Sequence, residues 1–399
     1  MGRRIAARSG ARIGMRRLCG SLPSGNACAG VLDHRPSREA FEALLDLPSA
    51  RYVYGMARIF SGIQPSGELH IGNYLGAVRN WVALQRTHPG ALFCVVDYHA
   101  ITGHYDTGLL RTRRWEMARS LLAAGIDPSQ ARLFLQSDVP EHTELSWIFT
   151  TSQPLGDLYR QTQFKDKSTR NKSGNDGDDD SQAESIPAGL LIYPVLQAAD
   201  ILLYRADLVP VGEDQVQHLE LSRDIARRWN GRFREGFFPE PKALLTPTRR
   251  LMGLDGQSKM SKSLGNTVGL LESEEDMWAK LRPAMTDPQR VRKTDPGRPE
   301  VCNIFQLHKA FNPPETVQHV DVQCRTAGWG CLDCKKVLLA GMMTELTPIR
   351  ERAALLAAEP ERVADALADG ANAARTIAKE TMREVKHHMG LDQLRSSPT

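Results

Sequence analysis

The chain has 399 residues, 41% hydrophobic and 25% charged, ordinary proportions for a globular protein and too many residues for one small core. Its formal net charge of +4 sits at one end: residues 1–30 hold six arginines and no acid, and the remainder carries 45 basic against 47 acidic residues. A body this close to neutral argues against nucleic-acid binding through bulk charge, and seven unevenly spread cysteines argue against a disulfide framework and for a reducing compartment. No apolar run reaches the ~18 residues of a membrane span, because Pro194 and Asp200 interrupt 189–204, so the chain reads as soluble.

The arginine-rich start reads as a mitochondrial transit peptide. Arg8, Arg12 and Arg16 fall four residues apart, on one face of a helix, and the apolar stretch of a secretory signal is missing. A disordered basic tail is the alternative. Residues 1–55 are therefore taken as transit peptide and linker, and the mitochondrial matrix is the expected location.

From residue 57 strand and helix patterns alternate. A short buried strand is expected over 57–61, a helix over 72–85 with Tyr74, Leu75, Val78, Trp81 and Val82 at helical period, and a fully apolar strand over 91–96. A helix over 109–124 ends at Gly125, and another strand follows over 131–135. This alternation implies a doubly wound parallel sheet of Rossmann-like type, in which ligands sit at the carboxyl ends of strands. Residues 170–186 are Ser-, Asn-, Gly- and Asp-rich without apolar period and read as a disordered acidic insertion. Beyond 267 strand patterns fade. A helix begins at the capping pair Ser273 and Asp276, and helical pattern continues to Met389. The expected organisation is a catalytic domain over 56–266 and a helical domain over 267–399.

Three stretches carry chemistry. The first runs from Phe60 through Gly62-Ile63-Gln64-Pro65-Ser66-Gly67 to His70-Ile71-Gly72-Asn73, between a strand and a helix. Glycines there let backbone approach a purine and its phosphates, the helix start offers free N–H groups, and His70 can donate to phosphate oxygen. The second is Lys259-Met260-Ser261-Lys262-Ser263, between Gly256 and Gly265, where two lysines can close over a triphosphate. The third is Tyr193 to Asp200 followed by Val209 to Gln215. Asp200 stands in apolar sequence, and a buried carboxylate needs a donor; a helix cap or an internal arginine pair would also explain it. Glu213 and Asp214 read as acids opening a helix, with simple capping as the plain alternative.

The spacing of 62–67, 70–73, 193–200, 212–215 and 259–263 resembles the tryptophanyl-tRNA synthetases, class I aminoacyl-tRNA synthetases, over about residues 57–392. The resemblance implies ATP held by Gln64, Pro65, Ser66, Gly72, Asn73, backbone near Leu251, and Lys259, Met260, Ser261, Lys262 and Ser263. Gly212, Glu213 and Asp214 would hold the adenosine. Tryptophan would place its indole N–H on Asp200 and its ring against Phe60, Val96, Val209 and Val211. Its amino group would lie near Tyr193 and Gln215, and His99 would line the same pocket. His70, Lys259, Lys262 and, beside the acidic insertion, Lys167 are the implied catalytic groups.

The resemblance further implies Mg²⁺ with ATP and no tightly bound cofactor, a homodimer with no membrane, and tRNA(Trp) read by the helical domain. Three features depart from common bacterial members besides the insertion: Gln197 beside the indole pocket, Leu264-Gly265-Asn266 after the lysine loop, and a Cys324, Cys331, Cys334 cluster. With His319 that cluster could bind zinc, but only two cysteines have ligand spacing, so no metal site is expected. Rival readings are a tyrosine-specific relative, a small-molecule adenylylating enzyme, and a non-catalytic RNA-binding paralogue.

Overall fold

A computed structural model describes residues 57–103, 105–161, 187–212, 215–245, 252–258, 260–261 and 264–392. The expected transit peptide and linker, the acidic insertion, Lys167, Glu213, Asp214, Leu251, Lys259, Lys262 and Ser263 lie outside the described residues.

In chain order β1 is Phe60–Ile63, β2 Ala91–Val95, β3 Ala131–Leu135, β4 Leu208–Val211 and β5 Lys242–Leu245. β1, β2 and β3 pair in parallel, as do β4 and β5. A parallel bridge from Ile59 to Leu208 and the Ser61 hydroxyl on the Pro210 carbonyl, 2.9 Å, set β4 beside β1. The order across the sheet is thus β3-β2-β1-β4-β5. The chain winds outward from β1 and then returns to its other side, so the strand order reverses between β1 and β4. The crevice at the carboxyl ends of those two strands is where such a sheet binds ligands.

The sheet is covered on both faces, which is why its inner strand β2 reads as unbroken apolar sequence. Alternate residues of β2 serve two cores: Ala91, Phe93 and Val95 pack into one, Leu92 and Cys94 into the other. The strand expected over 57–61 lies slightly later, because Gly62 belongs to it. A Cβ there would meet the Val96 side chain at 2.7 Å, so Gly62 is a packing glycine inside the strand.

The helix expected over 72–85 runs on from Ile71 to Thr87, with a π turn at Tyr74–Val78. Thr107–Ala124 is capped by Asp106, whose carboxylate accepts from the Leu109 N–H, and ends at Gly125 with φ 114°. Glu141–Thr150 and the apolar helix Ala188–Leu203 lie against each other in the second core.

After β5 every regular element among the described residues is helical. Glu274–Leu281 starts at the Ser273 cap, whose hydroxyl accepts from the Asp276 N–H at 3.1 Å. Two long helices follow, Cys331–Ala358 and Pro360–Met389. The last one crosses the edge strand β3. Its Val363 and Leu367 belong to the first core, and Ala371, Ala374 and Ala378 to the second. Gly370 marks the crossing: a Cβ there would fall 2.0 Å from the Leu133 carbonyl oxygen. A glycine and small residues let the helix seal an edge that would otherwise offer unpaired backbone. Among the described residues no helix is long and apolar enough to cross a membrane.

Candidate active site

The first stretch follows β1 at the crevice. Gln64 donates to the His99 carbonyl at 3.4 Å, and Gly67 turns the chain at φ 136°. His70 then caps the helix that starts at Ile71: its Nδ1 accepts from the Gly72 and Asn73 N–H groups at 3.1 and 3.3 Å. With Nδ1 accepting, a neutral His70 carries its proton on Nε2. Gly72 is needed there, since a Cβ would press on the His70 ring at 2.9 Å and on the Met260 sulfur at 3.2 Å. Met260 is buried. It brings the lysine loop against the helix start.

Backbone pairing joins the same two stretches. Ile71 N–H donates to the Val268 carbonyl at 2.9 Å and Leu270 N–H to the Leu69 carbonyl at 2.7 Å, around an antiparallel bridge between His70 and Gly269. Ser261 N–H donates to the Asn266 side-chain oxygen at 2.8 Å.

The third stretch forms a buried polar centre in apolar walls. Asp200, only 1% exposed, lies in the helix Ala188–Leu203. Its Oδ1 accepts from Gln136 Nε2 and His142 Nδ1, both at 2.7 Å, and its Oδ2 accepts from His99 Nε2 at 2.7 Å. Burial alone would push the Asp200 carboxyl up; the hydrogen bonds from His142 and His99 outweigh it and hold the group well below the usual carboxylate range. Because an ionised carboxylate only accepts, both imidazoles donate to it. His142 Nε2 therefore accepts from the Tyr204 hydroxyl at 2.8 Å, and burial pushes that phenol up, so it stays protonated.

Two oxygens offer about four acceptor positions. Three are filled, and the fourth belongs to Oδ2. Phe60, Val96 and Val209 lie in the same core cluster as the Asp200 helix, Val211 packs against it, and Phe60 stacks on Tyr204 at 5.5 Å. A centre of this kind can take one flat apolar ring with a single N–H donor. Tyr193 meets His99 edge-on at 6.3 Å and bonds His218 Nε2 at 3.2 Å. His218 Nδ1 in turn meets Gln161 at 3.1 Å. Gln215 stands at the start of the helix Val216–Phe233 and donates its N–H to the carbonyl of Gly212, the residue after β4, at 3.0 Å.

The structure thus gathers Phe60, Val96, His99, Tyr193, Asp200, Val209 and Val211 in and against one core, ties Gln64 to it through the His99 carbonyl, and sets His70 and Gly72 against Met260. Sequence reasoning missed Gln136, His142, Tyr204 and His218. Gln136 directly follows β3, so the rule for strand ends points to it; His142 and Tyr204 gave no local signal.

The cysteine cluster sits in the helical region. All described cysteines are free thiols. Cys334 Sγ lies 3.3 Å from His308 Nε2, and Arg290 donates to Cys324 Sγ at 3.8 Å. Among the described residues no three His, Cys, Asp or Glu side chains come together as a metal site.

Residues 55–346 match the family model of the class I tRNA synthetases for W and Y. The tryptophan–tRNA ligase of Deinococcus radiodurans is 53% identical over 85% of this chain and its own full length, and that of Thermotoga maritima 44% identical over 84% and 99%. Among solved structures, the Campylobacter jejuni tryptophanyl-tRNA synthetase complexed with ADP and tryptophan aligns with a TM-score of 0.72 and 35% identity, over 84% of this chain and all of that one. A tyrosyl-tRNA synthetase from Archaeoglobus fulgidus, at 22% identity and a TM-score of 0.57, shares the fold alone. The chain belongs to the class I tRNA synthetases, and within them to the tryptophan–tRNA ligases.

Proposed function

We propose that this protein activates L-tryptophan with ATP and transfers it to the terminal adenosine of tRNA(Trp), in the mitochondrial matrix. The observation that carries the substrate is the Asp200 carboxylate: buried, ionised, held by three donors, and left with one acceptor position beside apolar walls. The tryptophan carboxylate, already an anion at neutral pH, attacks the α-phosphorus; the bond to the β-phosphate oxygen breaks and pyrophosphate leaves. No general base is required. The protein's share is in-line placement and charge that follows the departing pyrophosphate. His70, through Nε2, and Lys259, Lys262 and Lys167 take that share, and Gly212, Glu213, Asp214, Leu251 and Ser263 complete the nucleotide site. A ribose hydroxyl of the tRNA terminus then attacks the acyl carbon and AMP leaves.

Mg²⁺ travels with ATP and neutralises its phosphates, held by phosphate oxygens and water. Residues 267–399 read the tRNA anticodon, and 56–266 form the catalytic domain. A homodimer is supported by Trp147, Leu155 and Tyr159, which are 69%, 62% and 52% exposed on two consecutive helices. The location rests on the arginine-rich, acid-free residues 1–30.

The deciding experiment is ATP–pyrophosphate exchange with each standard amino acid in turn. Tryptophan alone should drive it. Exchange driven by tyrosine, or by no amino acid, overturns the proposal.

A further inference from the structure

Leu264-Gly265-Asn266 follows the lysine loop, and the structure gives that segment a task. Gly265 turns the chain at φ 63° and delivers the Asn266 side chain, 5% exposed, into the base of the lysine loop. There one amide makes two bonds. Its oxygen accepts from the Ser261 N–H at 2.8 Å, and its nitrogen donates to Asp255 Oδ2 at 2.8 Å. Asp255 Oδ1 accepts from the Gln257 and Ser258 N–H groups at 3.0 and 3.2 Å. The Asn266 backbone carbonyl takes the Leu254 N–H at 2.9 Å. Gly253 makes room for this amide: a Cβ there would lie 2.1 Å from the Asn266 nitrogen. The two ends of the loop and its centre, at Ser261, are therefore tied through one side chain. Two residues further on, the chain pairs with the His70 stretch.

We propose that Asn266, acting through Ser261 and Asp255, is a positioning residue for adenylate formation: it holds Ser261, and Met260 beside it, against the stretch that His70 caps. The contribution of Asn266 is entropic, because backbone fixed in advance loses less freedom when the nucleotide binds. The proposal rests on reading Lys259 and Lys262 as phosphate ligands. Only an amide can serve both neighbours at once, one donor and one acceptor on adjacent atoms. An aspartate in its place would set two carboxylates face to face, and an alanine would leave Ser261 N–H and Asp255 without their partner.

The test uses the full chain and three variants, Asn266→Ala, Asn266→Asp and the exchanged pair Asn266→Asp with Asp255→Asn. Pyrophosphate exchange, equilibrium tryptophan binding and melting temperature are measured for each. The exchanged pair keeps both hydrogen bonds: Ser261 N–H still donates to residue 266, and only the bond between 255 and 266 exchanges donor and acceptor. We expect the single variants to lower the exchange kcat roughly 10-fold or more, with tryptophan affinity within about 2-fold of the parent. The exchanged pair should recover to within about 3-fold. Should the single variants melt too low to assay, the exchanged pair decides alone: fast exchange supports the latch, and a folded, slow enzyme overturns it. Parent-like kcat in Asn266→Ala also overturns it. Lys259→Ala serves as the separate control. If that variant exchanges at full rate, the lysine reading has failed; if it is slow while Asn266→Ala is fast, only the latch has.

Discussion

Replacing Asp200 by asparagine tests the bond proposed to read the indole at the least cost to the fold. Alanine is the poorer choice, because Gln136, His142 and His99 would all lose their acceptor inside the protein. Each stranded donor costs about 1–3 kcal/mol, and three together approach the ~5–15 kcal/mol that holds a domain folded. Asparagine keeps the shape. Its oxygen, placed at Oδ1, continues to receive Gln136 and His142, while its amide nitrogen replaces Oδ2: it faces the indole N–H donor against donor, and His99 turns to its other neutral tautomer to accept from it at Nε2. The lost charged bond is worth about 1.5–3 kcal/mol, or roughly 10- to 150-fold in tryptophan affinity. Equilibrium binding by calorimetry measures this directly, with the melting temperature as a folding control. The sign with pH also follows. The folded-state value lies below the unfolded ~3.9, so the stabilisation is present above about pH 4 and lost only as pH falls through the folded value. Tryptophan affinity due to Asp200 should hence stay flat from about pH 5 upward. Unchanged affinity in a folded Asp200→Asn protein would refute the assignment.

Four further outcomes are expected. Lys259→Ala and Lys262→Ala should slow adenylate formation far more than they weaken tryptophan binding, as single-turnover rates beside calorimetry will show; a variant that loses affinity at full rate contradicts the reading. Burial pushes His308 down to about 4, so its contribution is complete above the unfolded ~6.5 and is lost as pH falls toward 4, amounting to about 2 kcal/mol between pH 7 and 5. His308→Gln should flatten that part of the melting-temperature profile, and an unaltered slope would exclude His308 as its source. Deleting residues 173–181 should leave exchange nearly unchanged and raise tRNA affinity modestly at low salt, the gain fading as salt rises; a collapse of exchange would mean that the acids serve the site. A fluorescent reporter behind residues 1–55 should enter mitochondria and fail to do so once Arg8, Arg12 and Arg16 are glutamates, whereas a diffuse signal from the native leader rejects the location.

What could be read from sequence was what repeats locally. The five apolar residues of β2, the Gly125 stop and the Ser273 cap each rest on neighbours along the chain, so pattern alone locates them. Asp200 was legible for a different reason: a carboxylate in apolar sequence demands donors. Which donors was not legible, since His142 and Gln136 lie 58 and 64 residues away and meet it only through the fold. Gly62 misled the boundary of β1 because a glycine after a short apolar run reads as a turn. The space it leaves for Val96 is a property of the neighbouring strand. The path of the last helix across β3 was hidden as well, because an alanine-rich face with one glycine looks the same whether it meets a strand edge or another helix.

The helical region also serves the site as its scaffold. Both halves of the proposed nucleotide site lean on it. Directly after the His70 cap, the Tyr74 hydroxyl donates to Glu345 at 2.7 Å and Arg79 pairs with the same carboxylate at 3.1 Å, which ties the π turn to the helix Cys331–Ala358. π turns are costly interruptions of a helix and persist where something outside holds them. Below the lysine loop, Asn303 donates to the Gly253 carbonyl at 2.8 Å. Met285 N–H donates to the Leu254 carbonyl at 2.8 Å, and the buried Lys335 fixes that turn by donating to the carbonyls of Arg282 and Ala284 at 2.8 and 2.6 Å. Burial lowers the Lys335 pKa, and two carbonyls at a helix end supply the acceptors that a buried ammonium requires. Ile71, Leu75 and Trp81 share one core with Leu338, Met342 and Leu346. Any movement of Cys331–Ala358 on binding RNA thus acts at once on the cap at His70 and on the base of the lysine loop, through bonds that cross a shared core.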